Sequence, residues 1–280
     1  MRSKIIFAVI VFFAVGLLGC ESRGFKAERQ MWQANKLARA IYKNPKGSPS
    51  FQFKQAQDAF RAVIKKYPDS LFAIQAQFNI GNLYLAKDEF EKARQEYRKL
   101  VSDCDKKGNL CAQAIFAIGA SYEAEGKWDV AYANYKKIMH DHPLSSKSME
   151  MPIYILRHYK RVKDEEGVKR SVDEAVSHYI GLKSRTDKKA GYALQAMVVR
   201  SYMEGGQWQD ALDSLDKTIR DYPESNTAEA IWIKALIYSS KLNDKVKAKE
   251  ELRKIVQKYP NTKLAKQVEV IIKKLEANNR

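Results

Sequence analysis

The chain has 280 residues, 45% of them hydrophobic and 30% charged, and its 50 Lys and Arg against 33 Asp and Glu give a formal charge of +17. This mixture sets aside a disordered chain, which could not bury enough apolar surface to offset its ordering entropy. Pro is scarce at 7 and Gly at 13, and no β-rich run occurs, so the composition points to an all-α protein long enough for a solenoid or two ordinary domains.

The first stretch differs from everything after it. Arg2 and Lys4 precede an apolar run of 14 residues from Ile5 to Leu18, broken only by Gly16. That is short for a transmembrane helix, which needs about 20 residues. The run closes on Leu17-Leu18-Gly19-Cys20, which resembles the lipobox of bacterial lipoproteins. The resemblance implies a signal peptide over 1–19, cleavage before Cys20, diacylglyceryl transfer to the Cys20 thiol and a fatty acyl group such as palmitate on the new amino terminus. Residues 20–24 would then be the lipidated arm. Two or three acyl chains hold a protein stably where one holds it marginally. An ordinary secretory signal or an uncleaved anchor would share the charge and hydropathy; the position of Cys20 favours lipidation. Glu21 stands where, in enteric-type sorting, Asp retains a lipoprotein at the inner membrane. The implied location is therefore the periplasmic face of the outer membrane. Loss of Arg2 and Lys4 with the signal lowers the charge from +17 to +15. Such a field attracts acidic protein segments, lipid headgroups or wall polymers. Nucleic acid, the other usual partner of a basic protein, is not met by an exported one.

Apolar residues at three- and four-residue spacing predict helices along the rest of the chain. Phe25–Tyr42 is the first, with Trp32, Leu37, Ala40 and Ile41 on one face. A loop at Asn44-Pro45-Lys46-Gly47-Ser48-Pro49 leads to Phe51–Tyr67, which carries Ala56, Phe60 and Val63. Leu71–Ala86 and Glu89–Val101 follow. Ala112–Pro143 holds two helices broken at Glu125-Gly126-Lys127. Then come Ser145–Lys163 with Glu165–Ser184, Thr186–Glu204 with Trp208–Asp221, and Ala228–Ser240 with Lys245–Tyr259. Leu264–Ala277 is a single polar helix fit to close an exposed end.

These helices repeat. Gly81, Tyr84, Ala93 and Tyr97 recur 38 residues later as Gly119, Tyr122, Ala131 and Tyr135. Tyr122, Gly126, Trp128, Ala131, Tyr135 and Pro143 recur 80 residues later as Tyr202, Gly206, Trp208, Ala211, Leu215 and Pro223. Terminators recur as well: Tyr67-Pro68-Asp69-Ser70, His142-Pro143-Leu144-Ser145, Tyr222-Pro223-Glu224-Ser225 and Tyr259-Pro260-Asn261-Thr262. Each Pro stops a helix, and each following Asp, Ser, Asn or Thr is offered as a cap for the next. The fourth pair is degenerate, with Tyr159 in the aromatic place but Val168 in the Ala place, which makes it the expected site of a bend or of the meeting of two sub-arrays.

This order of small, aromatic and Pro positions resembles the tetratricopeptide repeat (TPR), whose period is about 34 residues. One small position departs from the pattern, being Leu100, Ile138, Thr218 and Ile255. The resemblance implies an all-α, right-handed superhelical solenoid over 25–280, of about six helix pairs plus a C-terminal capping helix. The pairs are 25–68, 70–105, 110–143, 145–184, 186–223 and 226–260, with the cap at 264–278. It also implies a concave face lined by the first helix of each pair. Mapped onto this chain, the partner-choosing positions include Gln75, Phe78, Asn82, Gln113, Phe116, Glu123, Arg200 and Met203. Their mixture of apolar and polar groups suits an extended or helical peptide. The carboxylate clamp of some cytosolic TPR proteins wants Lys where Phe78 stands and is not carried over.

Little else points to chemistry. Cys104 and Cys111 flank the turn Asp105–Leu110 and would form a disulfide in an oxidising compartment; two buried thiols are the alternative. His140 and His142 sit at a helix end, too sparse for a metal site, so no metal is expected. No Ser–His–Asp order, HExxH motif or phosphate loop occurs, and no catalytic residue is assigned. The expectation is a non-enzymatic scaffold with no cofactor beyond the lipid on Cys20, and with periplasmic protein or peptide partners. Repeats and Tyr-Pro turns together are similar to the BamD-type outer-membrane assembly lipoprotein family, which implies a role in outer-membrane protein assembly. The alternatives are a cell-envelope coordinator of the pilus or Tol–Pal type, and a binder of anionic envelope polymer.

Overall fold

The computed structural model describes residues 23–102, 108–223, 225 and 227–277. Among them are thirteen α-helices and no strand: α1 Arg23–Lys43, α2 Ser50–Lys66, α3 Leu71–Ala86, α4 Phe90–Val101, α5 Gly108–Ala124, α6 Trp128–Asp141, α7 Ser146–Val162, α8 Glu165–Lys183, α9 Lys188–Gly205, α10 Trp208–Asp221, α11 Ala228–Ser240, α12 Lys245–Lys258 and α13 Lys263–Ala277. The fold is all-α, built from the consecutive helix pairs that the repeats imply. Cys20 and Cys104 lie outside the described residues. No helix among them is long and apolar enough to cross a membrane.

The terminators work as local chemistry requires. Ser70, Ser145 and Thr262 accept hydrogen bonds from the backbone N–H groups of Ala73, Ser148 and Ala265 at 3.2, 3.1 and 3.1 Å. Before α11 the pattern changes. Ser225 is not the cap; Thr227 takes that place, and its hydroxyl lies 2.9 Å from the Tyr259 hydroxyl. The Tyr259 hydroxyl, at the end of the second helix of the same pair, also accepts from the Thr227 N–H at 3.2 Å. Inside every pair after the first, the turn contains one left-handed residue: Asp88, Gly126, Lys163, Gly206 or Asn243. Only Gly takes this conformation without a Cβ clash, which costs other residues roughly 1–2 kcal/mol. Lys163, at φ 60°, ends α7 in this strained state. Lys163→Gly is therefore expected to stabilise the protein by about 1 kcal/mol, read as a higher urea midpoint at unchanged slope.

Compactness divides the chain between Ile138 and Met139, ahead of the fourth pair where the repeat pattern weakens. In the first unit, α1 to α3 share a core of Ala34, Ile41, Phe60, Val63, Ile80 and Leu83 with their neighbours, and a second cluster joins Tyr97 of α4 to Ala114 and Ile118 of α5. One expectation is corrected here. The buried stripe of α1 is Ala27, Met31, Ala34, Ala38 and Ile41, whereas Trp32 is 58% exposed and Ala40 is exposed too. The small residues allow α1 to approach α2 and α3 closely, and an indole would hold them apart.

Arg94 on α4 is buried, with 3% of its surface exposed. Its guanidinium bonds Glu91 at 3.0 Å, Ser121 at 3.2 Å and Glu125 at 3.0 Å, and lies 4.2 Å from the centroid of the Tyr122 ring. The Arg94 hydrogen bond holds the Glu125 carboxyl below its ordinary range. One cation thus ties α4 to the end of α5, and its buried donors have acceptors as burial demands.

In the second unit, α8 buries Gly167, Val172, Ala175 and Tyr179. Ala175 and Tyr179 repeat the four-residue spacing of Ala131 and Tyr135. Val168, expected in the small position, is half-buried; its neighbour Gly167 takes the close approach, where an added Cβ would lie 2.4 Å from the Tyr159 ring. Pro152 sits buried inside α7, and the Tyr179 hydroxyl donates to the Met149 carbonyl at 2.7 Å. The remaining core runs through Val199, Leu212, Leu215 and Ile237 to Ala235, Leu252, Ile255 and Val268.

Candidate functional site

The residues expected to line the face of the first helices fall in both units. In the first unit, α3 and α5 display the same arrangement twice. Phe78 and Phe116 are half-buried on the first helices. Each lies against the second-helix tyrosine of its own pair, with ring centroids 5.3 Å apart for Phe78–Tyr97 and 5.6 Å for Phe116–Tyr135. Both tyrosines are fully buried, and both send the hydroxyl back to the first helix. Tyr97 donates to Asn82 Oδ1 at 2.7 Å, and Tyr135 to Glu123 Oε2 at 2.8 Å. Burial pushes the Tyr97 phenol pKa well up, which keeps its proton in place as a donor. Four of the expected positions, Phe78, Asn82, Phe116 and Glu123, therefore also hold the pair together. Gln75 is exposed and Gln113 half-buried at equivalent places one turn earlier.

Around Asn82 the structure adds a polar ladder. Asn82 Nδ2 reaches Asn79 Oδ1 at 3.4 Å, and Asn79 Nδ2 donates to Asn35 Oδ1 at 2.9 Å. The ladder runs from the buried Tyr97 on α4 through α3 to α1, and its three amides are only part-buried. Each primary amide has two donors and two acceptor sites. The amides therefore retain capacity that an extended peptide backbone can use. Asn35 and Asn79 were not singled out in the sequence. Asn79 stands three residues before Asn82, the spacing of neighbours on one helix face, which was the available signal.

In the second unit, Arg200 is exposed on α9, whereas Met203 packs beside Val199 and Leu212. Met203 is thus partly a core residue. Beside Arg200, Glu204 pairs with Arg157 of α7 and is also approached by Lys160, whose ammonium donates to the Glu204 carbonyl at 2.6 Å. The Arg157 hydrogen bond holds the Glu204 carboxyl below its usual range. A cavity of about 620 Å³ opens nearby, lined in part by Lys160, Lys163, Lys169 and Gly205. Asp164 and Glu165 line the same cavity, so its wall is of mixed charge, three cations against two acids.

The remaining candidates carry less. Cys111, in the first turn of α5, is buried, with 1% of its surface exposed. The Cys104–Cys111 bond proposed from spacing has one end outside the described residues. His140 is solvent-facing, with Nδ1 2.7 Å from Asp141. Among the described residues no group of three His, Cys, Asp or Glu is placed to hold a metal.

Comparison with known proteins gives one consistent result. A tetratricopeptide repeat family matches residues 52–109, and a second repeat family of the same description matches 113–145, 197–225 and 229–262. Together the matches cover more than half of the chain. No curated protein sequence matches it. Solved structures similar to it include PilF of Pseudomonas aeruginosa, at 12% identity and TM-score 0.39, with 88% of this chain and 99% of that one covered. PilW, described as a type IV pilus biogenesis factor, aligns at 14% identity and TM-score 0.38 over 86% and 97% of the two chains. YrrB, described as having an unusual peptide-binding site, aligns at 16% and 0.35 over 76% and 98%.

Proposed function

Because the chain belongs to the tetratricopeptide repeat family, we propose that it is a scaffold whose first-helix face holds an extended segment of a partner protein. The observation that carries this is the part-exposed amide ladder Asn35–Asn79–Asn82, set beside the aromatic Phe78 and the exposed Gln75. Amides satisfy the backbone groups of any extended peptide, and the neighbouring aromatic surface selects apolar side chains. The ladder is already tied to Tyr97, so little order must be gained on binding.

The finer reading is a lipoprotein carried on Cys20 at the periplasmic face of the outer membrane, acting in β-barrel protein assembly as BamD-type lipoproteins do. Leu17-Leu18-Gly19-Cys20, Glu21 and the Tyr-Pro turns support it. The anchor fixes the scaffold beside the membrane, and the face presents the bound segment to its destination.

Photocrosslinking from the exposed positions Gln75 and Arg200 tests both levels. Lys99 and Lys217, exposed on second helices, serve as controls. Adducts to a discrete protein at Gln75 or Arg200, absent from the controls, are expected. Equal adducts at all four sites would defeat the face assignment. Mass spectrometry of the adduct decides the role: a β-barrel assembly protein supports the finer reading, whereas wall-linked or pilus proteins move the function to envelope coordination.

A further inference from the structure

We propose that the outer face of α1 is a peripheral membrane-binding surface that lies on anionic phospholipid headgroups. With the buried stripe turned inward, α1 presents Phe25, Arg29, Trp32, Lys36, Arg39 and Lys43 on the opposite side. Their spacing of four, three, four, three and four residues places all six within about 80° of arc at about 100° per residue, along about 27 Å of helix. Phe25 is 51% and Trp32 58% exposed, and the Lys36 ammonium lies 5.7 Å from the centroid of the Trp32 ring. The helix carries six Lys or Arg against one acid, Glu28, at the edge of this stripe.

Two aromatics flanked by four cations are the arrangement that an interfacial helix uses. The rings sit at headgroup depth, while Lys and Arg extend their apolar stems along them and leave their charges at the phosphates. The strong apolar stripe of α1 is already spent on α2 and α3, so this face rests on a bilayer and does not insert. Attraction to anionic lipid decays within a Debye length, so the surface acts only where the helix is held close. Cys20 is three residues ahead of Arg23, at most about 11 Å of extended chain. This last point rests on the anchor reading above; the composition of the face does not. Lipid accounts for the pattern better than a protein partner does, because protein interfaces deplete Lys at their centres.

The test uses the chain from Glu21, which keeps every described helix and every core cluster and has no Cys20. Flotation with vesicles of phosphatidylglycerol and phosphatidylethanolamine is compared with flotation on phosphatidylcholine alone. Binding at least tenfold tighter to the anionic vesicles is expected. It should fall at least tenfold in Arg29→Glu/Lys36→Glu and several-fold in Trp32→Ala, with helical circular dichroism retained. A nitroxide carried on the lipid headgroup should quench Trp fluorescence in the parent chain and less in Trp32→Phe. Unchanged binding in the double variant would overturn the proposal. So would an equal loss in Lys217→Glu/Lys266→Glu, two exposed lysines far along the sequence, since that would reflect overall charge. Release of the full-length chain from membranes by Cys20→Ala tests the anchor separately, so either reading can fail alone.

Discussion

Replacing Gly81 by Val is expected to cost about 3 kcal/mol of stability, as over-packing of a close-packed core does. A Cβ at Gly81 would lie 2.4 to 2.8 Å from three carbons of the Tyr97 ring. That ring cannot retreat, because Tyr97 is fully buried and its hydroxyl is held by Asn82. Gly119 meets the ring of Tyr135 in the same way, at 2.6 Å. Helix propensity pulls the other way, since Gly costs about 1 kcal/mol relative to Ala in a helix interior. Gly181→Ala in α8 isolates that contribution: nothing lies within 4 Å of its added Cβ, so a gain of about 0.5–1 kcal/mol is expected. Urea denaturation of Gly81→Val, Tyr97→Ala and the double variant closes the cycle. Tyr97→Ala alone should cost about 3–5 kcal/mol, and the double variant should cost at least 1 kcal/mol less than the sum of the two. Strict additivity would show that the glycine is not there to admit the ring.

The second large effect is expected at Lys234. It stands four residues before Tyr238, where Ile80, Ile118 and Val198 stand four before Tyr84, Tyr122 and Tyr202, all in the core. A lysine in an apolar repeat position survives because Glu251 of α12 accepts from it at 3.0 Å and Asp216 of α10 accepts as well. The Lys234 and Glu251 side chains are 5% and 7% exposed. Glu251 Oε2 is buried with no hydrogen-bond partner, so this carboxylate depends on what its other oxygen finds. Lys234→Met should therefore cost about 3 kcal/mol, as breaking a buried pair from one side does. Lys234→Met/Glu251→Met should return to near the parent stability, because two well-packed apolar residues no longer need desolvated charge. Burial alone would lower the pKa of Lys234; the Asp216 and Glu251 carboxylates outweigh it and hold the ammonium above its ordinary 10.5. A raised cation pKa gives stability that is complete below the unfolded value and lost as pH rises past the folded one. The penalty of Lys234→Met should thus hold across neutral pH and shrink only above about 10.5. A loss below 1 kcal/mol at pH 7 would mean that water already screens the pair.

Both cases bear on what the sequence could reveal. The recurrence of Gly81 with Tyr97 and Gly119 with Tyr135 named the helix crossings, because a repeat must place the same small and large residues together each time. Lys234 and Arg94 were passed over, since a basic residue within a polar helix pattern looks like one more solvated charge. Only their placement against Glu251, or against Glu91, Ser121 and Glu125, makes them interior. The positions proposed for the partner face divide in their burial. Gln75 and Arg200 are exposed, whereas Phe78, Phe116 and Met203 are shared with the core, and Asn35 and Asn79 entered only through their hydrogen bonds.

The amino-acid sequence by itself determined the helices, their pairing and the repeat, because helix period, Pro stops and Ser or Thr caps act over fewer than ten residues. The tertiary structure decided which way each helix is turned. In α1 the apolar residues Trp32, Leu37, Ala40 and Ile41 are too scattered to define one stripe, and the rotation followed the alanines that let α2 and α3 come close. That choice put Trp32 outside among cations, as close packing with neighbours remote in sequence, and not local periodicity, selects the buried face.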